Sequence, residues 1–256
     1  MPWLVRDGIR LHYETCGEGG ARWPVLLTHG MASTSRSWEP NLGALSEQRK
    51  IITWDMRGHG QSGYPEDTSA YSQEATVGDM LALLDHEGAE RAVLGGLSLG
   101  GYMTLAFHLA HRDRVAGIML FDTGPGFKQA AARDAWNARA ERTAAAFETR
   151  GLGGLPRSAE VQGSAHRDAS GLARAARGML KQADARVIES LPSISVPALV
   201  LVGERDRPFL AAADYMAGKI PGAEQVVVPG AGHASNVDQP EAFNRSVTEF
   251  LDGLPG

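Results

Sequence analysis

The chain holds a single cysteine, Cys16, among 256 residues. One thiol excludes an intramolecular disulfide, so stability must come from the core. No apolar run approaches the roughly 20 residues a membrane helix needs. No cluster of histidine and cysteine has the spacing of a metal site, so no metal is expected. There is no Gly-x-x-x-x-Gly-Lys loop and no dinucleotide fingerprint, and no cofactor is expected. The net charge of −5 gives no electrostatic reason to seek nucleic acid or an anionic membrane. The opening Met1-Pro2-Trp3-Leu4-Val5-Arg6-Asp7-Gly8 lacks a basic segment followed by an apolar stretch. No signal peptide is therefore expected, and the protein is expected to be soluble and cytoplasmic.

What is present is apolar material, 43% of the chain, enough for one sizeable core in an α/β domain with an insertion. Residues 3–6 and 9–14 flank Asp7-Gly8, the signal of a two-residue hairpin, so the first two strands should be antiparallel. Short apolar runs then alternate with longer helical stretches. The runs are 25–28, 51–54, 92–94, 117–121, 198–202 and 225–228. Runs without polar alternation fit strands buried on both faces of a parallel sheet. The expected fold class is α/β, with about eight mostly parallel strands and helices on both faces.

Nearly eighty residues between Phe121 and Ala198 contain no convincing strand. Residues 128–150 read as one long helix, with Trp136, Ala140, Thr143 and Phe147 on one face. Gly151-Leu152-Gly153-Gly154 breaks it, and further helices are expected near 170–183 and 184–191. This predicts a helical lid at 126–191, inserted after the sixth strand between core segments 1–125 and 192–256.

The strongest local signal is Gly96-Leu97-Ser98-Leu99-Gly100. It follows an apolar run and opens onto a stretch of helical composition, which is how a chain builds a nucleophile elbow. The turn is so tight that a β-carbon two residues either side of the serine would clash. Open α/β sheets place chemistry at the carboxyl ends of their strands. The residues following the later strands are Asp122, then Glu204 and Asp206, then His233. Serine, aspartate, histidine is a chain order that supports a triad, with His233 as base in a glycine-rich loop. Asp206 is the favoured acid, with Asp122 and Glu204 as rivals. His29 and His59 are rivals for the base.

Taken together, His29-Gly30, the Asp-x-Arg-Gly-x-Gly-x-Ser block from Asp55 to Ser62, Gly-x-Ser-x-Gly-Gly, Gly-x-x-Asp before Pro208 and Gly-x-Gly-His233 resemble the α/β-hydrolase superfamily over nearly the whole length. The small capped esterases and enol-lactone hydrolases are nearest in flavour. The resemblance implies a serine hydrolase of a small carboxylic ester or lactone acting through an acyl-enzyme. It implies backbone oxyanion donors at Met31 and Leu99, and scaffold roles for Asp55, Arg57, His29 and His59. Serine at the elbow argues against the aspartate-based alkyl-enzyme relatives. Carbon–carbon hydrolysis of a diketone-like acid and perhydrolysis are alternatives on the same triad. A ligand-sensing protein with slow turnover is the alternative of another class.

The segment 126–190 carries eleven Lys or Arg against seven Asp or Glu. One reading turns these charges to solvent. The other turns an arginine (Arg133, Arg139, Arg174 or Arg177) inward to grip a substrate carboxylate. Trp136, Phe147, Met179 and Leu180 either line an acyl pocket or pack the lid; Trp136, Phe147 and Arg139 are the candidate substrate contacts. The expected partner is a small molecule, and monomer and homodimer are both compatible with the sequence.

Overall fold

The computed structural model describes residues 3–20 and 22–254. Met1 and Pro2, which begin the stretch without a leader pattern, lie outside the described residues, as do Ala21, Pro255 and Gly256. The strands are β1 (Trp3–Arg6), β2 (Ile9–Cys16), β3 (Val25–Thr28), β4 (Ile51–Trp54), β5 (Ala92–Leu97), β6 (Val115–Phe121), β7 (Ala198–Gly203) and β8 (Glu224–Val228). They form one sheet in the order β1-β2-β4-β3-β5-β6-β7-β8. The β1–β2 and β2–β4 pairs are antiparallel, and the pairs from β4 onward are parallel. Asp7, with φ +53°, and Gly8, with φ +74°, make the hairpin expected between the first two strands.

The unbroken apolar runs have the cause expected of them: each central strand is buried on both faces. Leu26, Ile52, Leu94, Ile118, Leu120 and Val200 point to one side of the sheet. There they meet α2 (Gln73–His86), α3 (Leu99–Ala110) and α7 (Arg207–Lys219) through Met80, Phe107 and Met216. Val25, Leu27, Ile51, Val93, Met119, Phe121, Leu199 and Leu201 point to the other. There they meet α1 (Glu39–Leu45) and α9 (Pro240–Asp252) through Leu45, Phe243 and Val247. β8 departs from the expectation of a doubly buried strand. It is the sheet edge, and Val227 is 46% exposed.

Between β6 and β7 run α4 (Ala130–Arg150), α5 (Ala169–Met179) and α6 (Arg186–Ser190). α4 and α5 pack on each other around Ala144, Phe147, Leu172, Ala173 and Ala176. Ala32, from the loop after β3, is part of this same cluster. The short helix α8 (Ser235–Asp238) precedes α9.

Candidate active site

Ser98 joins β5 to α3 with φ +53° and ψ −113°. Positive φ strains any residue with a β-carbon, at a cost of about 1–3 kcal/mol. The glycines around it permit the turn. A β-carbon at Gly96 would lie 2.1 Å from the Gly100 carbonyl carbon, and one at Gly100 would lie 2.1 Å from the Thr28 oxygen. The Ser98 amide donates to the Phe121 carbonyl at 2.9 Å, and Thr123 Oγ1 donates to the Ser98 carbonyl at 2.6 Å. The Ser98 side chain does not cap α3, so its hydroxyl is free to face the loops opposite.

His233 faces it. His233 Nε2 lies 3.0 Å from Ser98 Oγ, and Nδ1 lies 2.8 Å from Asp206 Oδ2. A carboxylate can only accept, so Nδ1 carries the proton and Nε2 accepts from the serine hydroxyl. Asp206 is almost fully buried and stands directly before α7 without its side chain capping that helix. Phe209, one turn along α7, stacks on the imidazole with ring centroids 4.8 Å apart. Burial lowers the His233 pKa, but the hydrogen bond and charge of Asp206, with the more distant charges of Asp122 and Glu160, outweigh it and leave it raised.

The other carboxylates are committed elsewhere. Asp122 Oδ1 accepts the Gly203 amide at 2.7 Å, and Oδ2 accepts the Ser235 amide at 3.0 Å and hydroxyl at 2.5 Å. Burial pushes its pKa up to about 6, against those hydrogen bonds. Asp122 thus ties the end of β7 to the loop after His233 without bonding the imidazole. Glu204 accepts the Gly230 amide at 2.8 Å. Asp55 accepts the Ser35 and Gln61 amides, and Arg57 grips Asp79 through Nε at 2.6 Å and Nη2 at 2.7 Å. Both brace the core rather than face Ser98. His29 and His59 are fully buried, and each spends both ring nitrogens on backbone groups.

The Gly30–Met31 peptide passes beside the serine: a β-carbon on Gly30 would lie 3.5 Å from Ser98 Cβ. Leu99 begins α3 directly after Ser98, so its amide is one of the orphan donors of a helix N-terminus. A cavity of about 270 Å³ opens from Ser98 and Leu99. Trp136 and Arg139 line it, together with Tyr102, Phe127, Leu180 and Phe209. Phe147 does not. It is buried with Ala144, Val161, Ala169 and Leu172, so its expected contact with substrate is replaced by a packing role. Met179 is buried in the core as well. Phe209, Tyr102 and Gln182 line the cavity without having been singled out from the sequence. The nearest signal was position: Tyr102 is one helical turn beyond Ser98, and Phe209 follows Pro208.

Among the named arginines, Arg133 donates to the Phe127 and Lys128 carbonyls. Arg174 donates to the Pro65 carbonyl, and Arg177 binds Glu141 and Glu148. Arg139 alone of the four lines the cavity, its guanidinium 5.5 Å from the Trp136 ring centroid. Among the described residues no group of three or more His, Cys, Asp or Glu could hold a metal, and no helix is long and apolar enough to cross a membrane.

Comparison with known proteins agrees with this architecture. Residues 25–246 match the family model described as the alpha/beta hydrolase family. The chain is 30% identical over 270 residues to 3-oxoadipate enol-lactonase 1 of Acinetobacter baylyi, covering 97% of this chain and 96% of that protein. The enol-lactonase from Burkholderia xenovorans LB400 superposes with a TM-score of 0.80 at 28% identity, covering 98% of this chain and 100% of that one. A thermophilic esterase from Thermogutta terrifontis, solved with malate bound, superposes with a TM-score of 0.79 at 32% identity, covering 98% of this chain and 96% of that one. This chain is a hydrolase that belongs to the alpha/beta hydrolase family.

Proposed function

We propose that the protein hydrolyses a small carboxylic ester or lactone through an acyl-enzyme on Ser98. The observation that carries this reading is the unbroken hydrogen-bonded line from Ser98 to His233 to Asp206 at the mouth of the cavity. A serine hydroxyl is a weak nucleophile until a neighbouring base takes its proton. His233 Nε2 accepts that proton as Oγ attacks the substrate carbonyl. Asp206 holds the imidazole in the required tautomer and offsets the imidazolium charge. The tetrahedral oxyanion is met by the Leu99 and Met31 amides, with the positive end of α3 behind them. His233 then protonates the leaving oxygen; in a lactone this oxygen stays tethered to the acyl chain. Water, deprotonated by His233, attacks the acyl-enzyme and frees the acid and the serine.

The cavity supports a small acyl group. Trp136, Phe127, Leu180 and Phe209 offer it apolar surface, and helices α4 and α5 act as a lid above the strand ends. Arg139 favours a narrower reading within this class, a substrate that carries a carboxylate. It lines the cavity, and among the described residues neither a carboxylate nor a carbonyl bonds its guanidinium. The names of the similar enol-lactonases and esterase support ester or lactone chemistry.

The test is hydrolysis of p-nitrophenyl esters, acetate through decanoate, by wild type and Ser98→Ala. Turnover restricted to short chains and absent from the variant is expected. A folded wild type that cleaves none of these esters and no simple lactone would overturn the proposal.

A further inference from the structure

Three consecutive peptide planes in the loop after β3 are each held by a different imidazole. The first is Gly30–Met31. Its carbonyl lies 2.7 Å from His29 Nδ1, while His29 Nε2 accepts the Met56 amide at 3.0 Å. The second is Met31–Ala32. Its amide donates to His59 Nε2 at 3.1 Å, and His59 Nδ1 lies 3.1 Å from the Arg57 carbonyl. The third is Ala32–Ser33. Its carbonyl lies 2.9 Å from His166 Nε2, and His166 Nδ1 accepts the Gly60 amide at 3.1 Å. An amide N–H can only donate, so the ring nitrogen facing it must accept and the other nitrogen carries the proton. All three rings are therefore neutral, each donating once and accepting once. Their rings also touch, with centroids 5.0 Å apart for His29 and His59 and 5.9 Å for His59 and His166.

The loop needs this clamp. Ala32 sits at φ +60°, a conformation that a residue with a β-carbon holds only when its surroundings impose it. The amide opposite the Gly30 carbonyl is that of Met31, so fixing one plane fixes the direction of that N–H. His29 and His59 belong to the sheet's own loops. His166 is different: it comes from the segment between α4 and α5. A second link from that segment reaches the same turn, where Ser33 Oγ donates to the Glu160 carbonyl at 2.6 Å.

We propose that His166 is a positioning residue through which seating of the α4–α5 segment sets the direction of the Met31 amide. The proposal rests on the reading of that amide as an oxyanion donor. When the segment is seated, Nε2–H holds the Ala32 carbonyl and the turn is closed. Without that bond the turn loses its third imidazole and the donor loses its aim.

The test compares His166→Gln with His166→Asn, using p-nitrophenyl acetate and a trifluoromethyl ketone that mimics the tetrahedral intermediate. The glutamine amide reaches the place of Nε2 and can still donate to Ala32. The asparagine amide reaches only the place of Nδ1 and keeps the Gly60 contact alone. His166→Gln is expected to keep kcat within about threefold of wild type. His166→Asn is expected to lose about tenfold in kcat, part of the roughly 10²–10³-fold that deleting a whole oxyanion donor costs. Its KM should stay nearly constant, and its affinity for the ketone should fall by the same factor as kcat, because the interaction acts in the transition state. Equal kcat in the two variants, or a loss in KM alone, would overturn the proposal and leave His166 as lid packing. Ser98→Ala run beside them separates the two levels: turnover surviving in that variant would defeat the acyl-enzyme reading itself.

Discussion

Gly203 and Gly232 meet backbone to backbone: a β-carbon on Gly203 would fall 2.1 Å from the Gly232 oxygen. This contact seats the loop carrying Asp206 against the loop carrying His233, and the Arg205 amide donating to the Ala231 carbonyl at 2.8 Å fastens it. Gly203→Ala should push the two loops apart. The overpacking should cost about 1–3 kcal/mol of stability, read as a lower urea midpoint. The kcat for p-nitrophenyl acetate should fall at the same time. A variant destabilised by this amount but with wild-type kcat would show that the contact serves the fold alone.

The two buried aspartates near the imidazole should separate cleanly on substitution. Asp206→Asn keeps the shape but removes the carboxylate that fixes the His233 tautomer, and the corresponding loss in Ser-His-Asp enzymes is about 10⁴ in kcat. Asp122→Asn should keep kcat within about tenfold of wild type while lowering stability, since its oxygens tie Gly203 and Ser235 rather than His233. Initial rates and melts of both variants check this, and the reverse pattern would make Asp122 the acid.

Stability should fall as pH drops from 6.5 toward 4. Burial lowers the pKa of His29 to about 4 and that of His59 well below its usual value. His108, lowered to about 4, and His166 shift the same way, also chiefly through burial. A depressed histidine binds its proton in the unfolded chain before the folded one. The stability it contributes is therefore present above the unfolded pKa and lost as pH falls toward the folded value. Each such group adds up to about 1.4 kcal/mol per pH unit within its window. Asp122, raised to about 6, works in the opposite sense between the usual aspartate pKa and that value. One aspartate offsets one histidine, so the net slope remains positive. Urea midpoints should rise with pH from about 4.5 to 6.5; above about 6.5 the raised His233 acts in the opposite sense. A flat or falling profile between about pH 4.5 and 6.5 would contradict the assignment of neutral, clamped imidazoles.

Arg139→Met should act selectively. With an ester whose acyl group ends in a carboxylate, KM should rise about tenfold or more, the loss of one charge-assisted contact. With p-nitrophenyl butyrate, which has no charge there, KM should change by less than about twofold. Equal effects on the two substrates would show that Arg139 serves packing on Trp136 instead.

The sequence carried the elbow, the parallel strands and the order Ser98, Asp206, His233 because these depend on short-range constraints. A residue at φ +53° flanked by glycines leaves a mark within five positions. Phe147 shows where such reasoning stops. Periodicity along α4 groups it with Trp136, yet eleven residues of helix separate them by about 16 Å. One end of the stripe reaches the cavity and the other reaches α5, and only the packing of α4 on α5 decides which. β8 fails in the same way, since its apolar run does not encode its place at the sheet edge. His166 left no signal at all: it lies outside any helix or strand, and its partners, Ala32 and Gly60, are more than a hundred residues away in sequence.

The most direct test of the central claim is the intact mass of the protein quenched with acid during hydrolysis of p-nitrophenyl acetate. The account predicts a single acetyl adduct that maps to Ser98, appears with a burst of p-nitrophenol, and is absent from Ser98→Ala. Steady turnover without any adduct or burst, undiminished in Ser98→Ala, would contradict it.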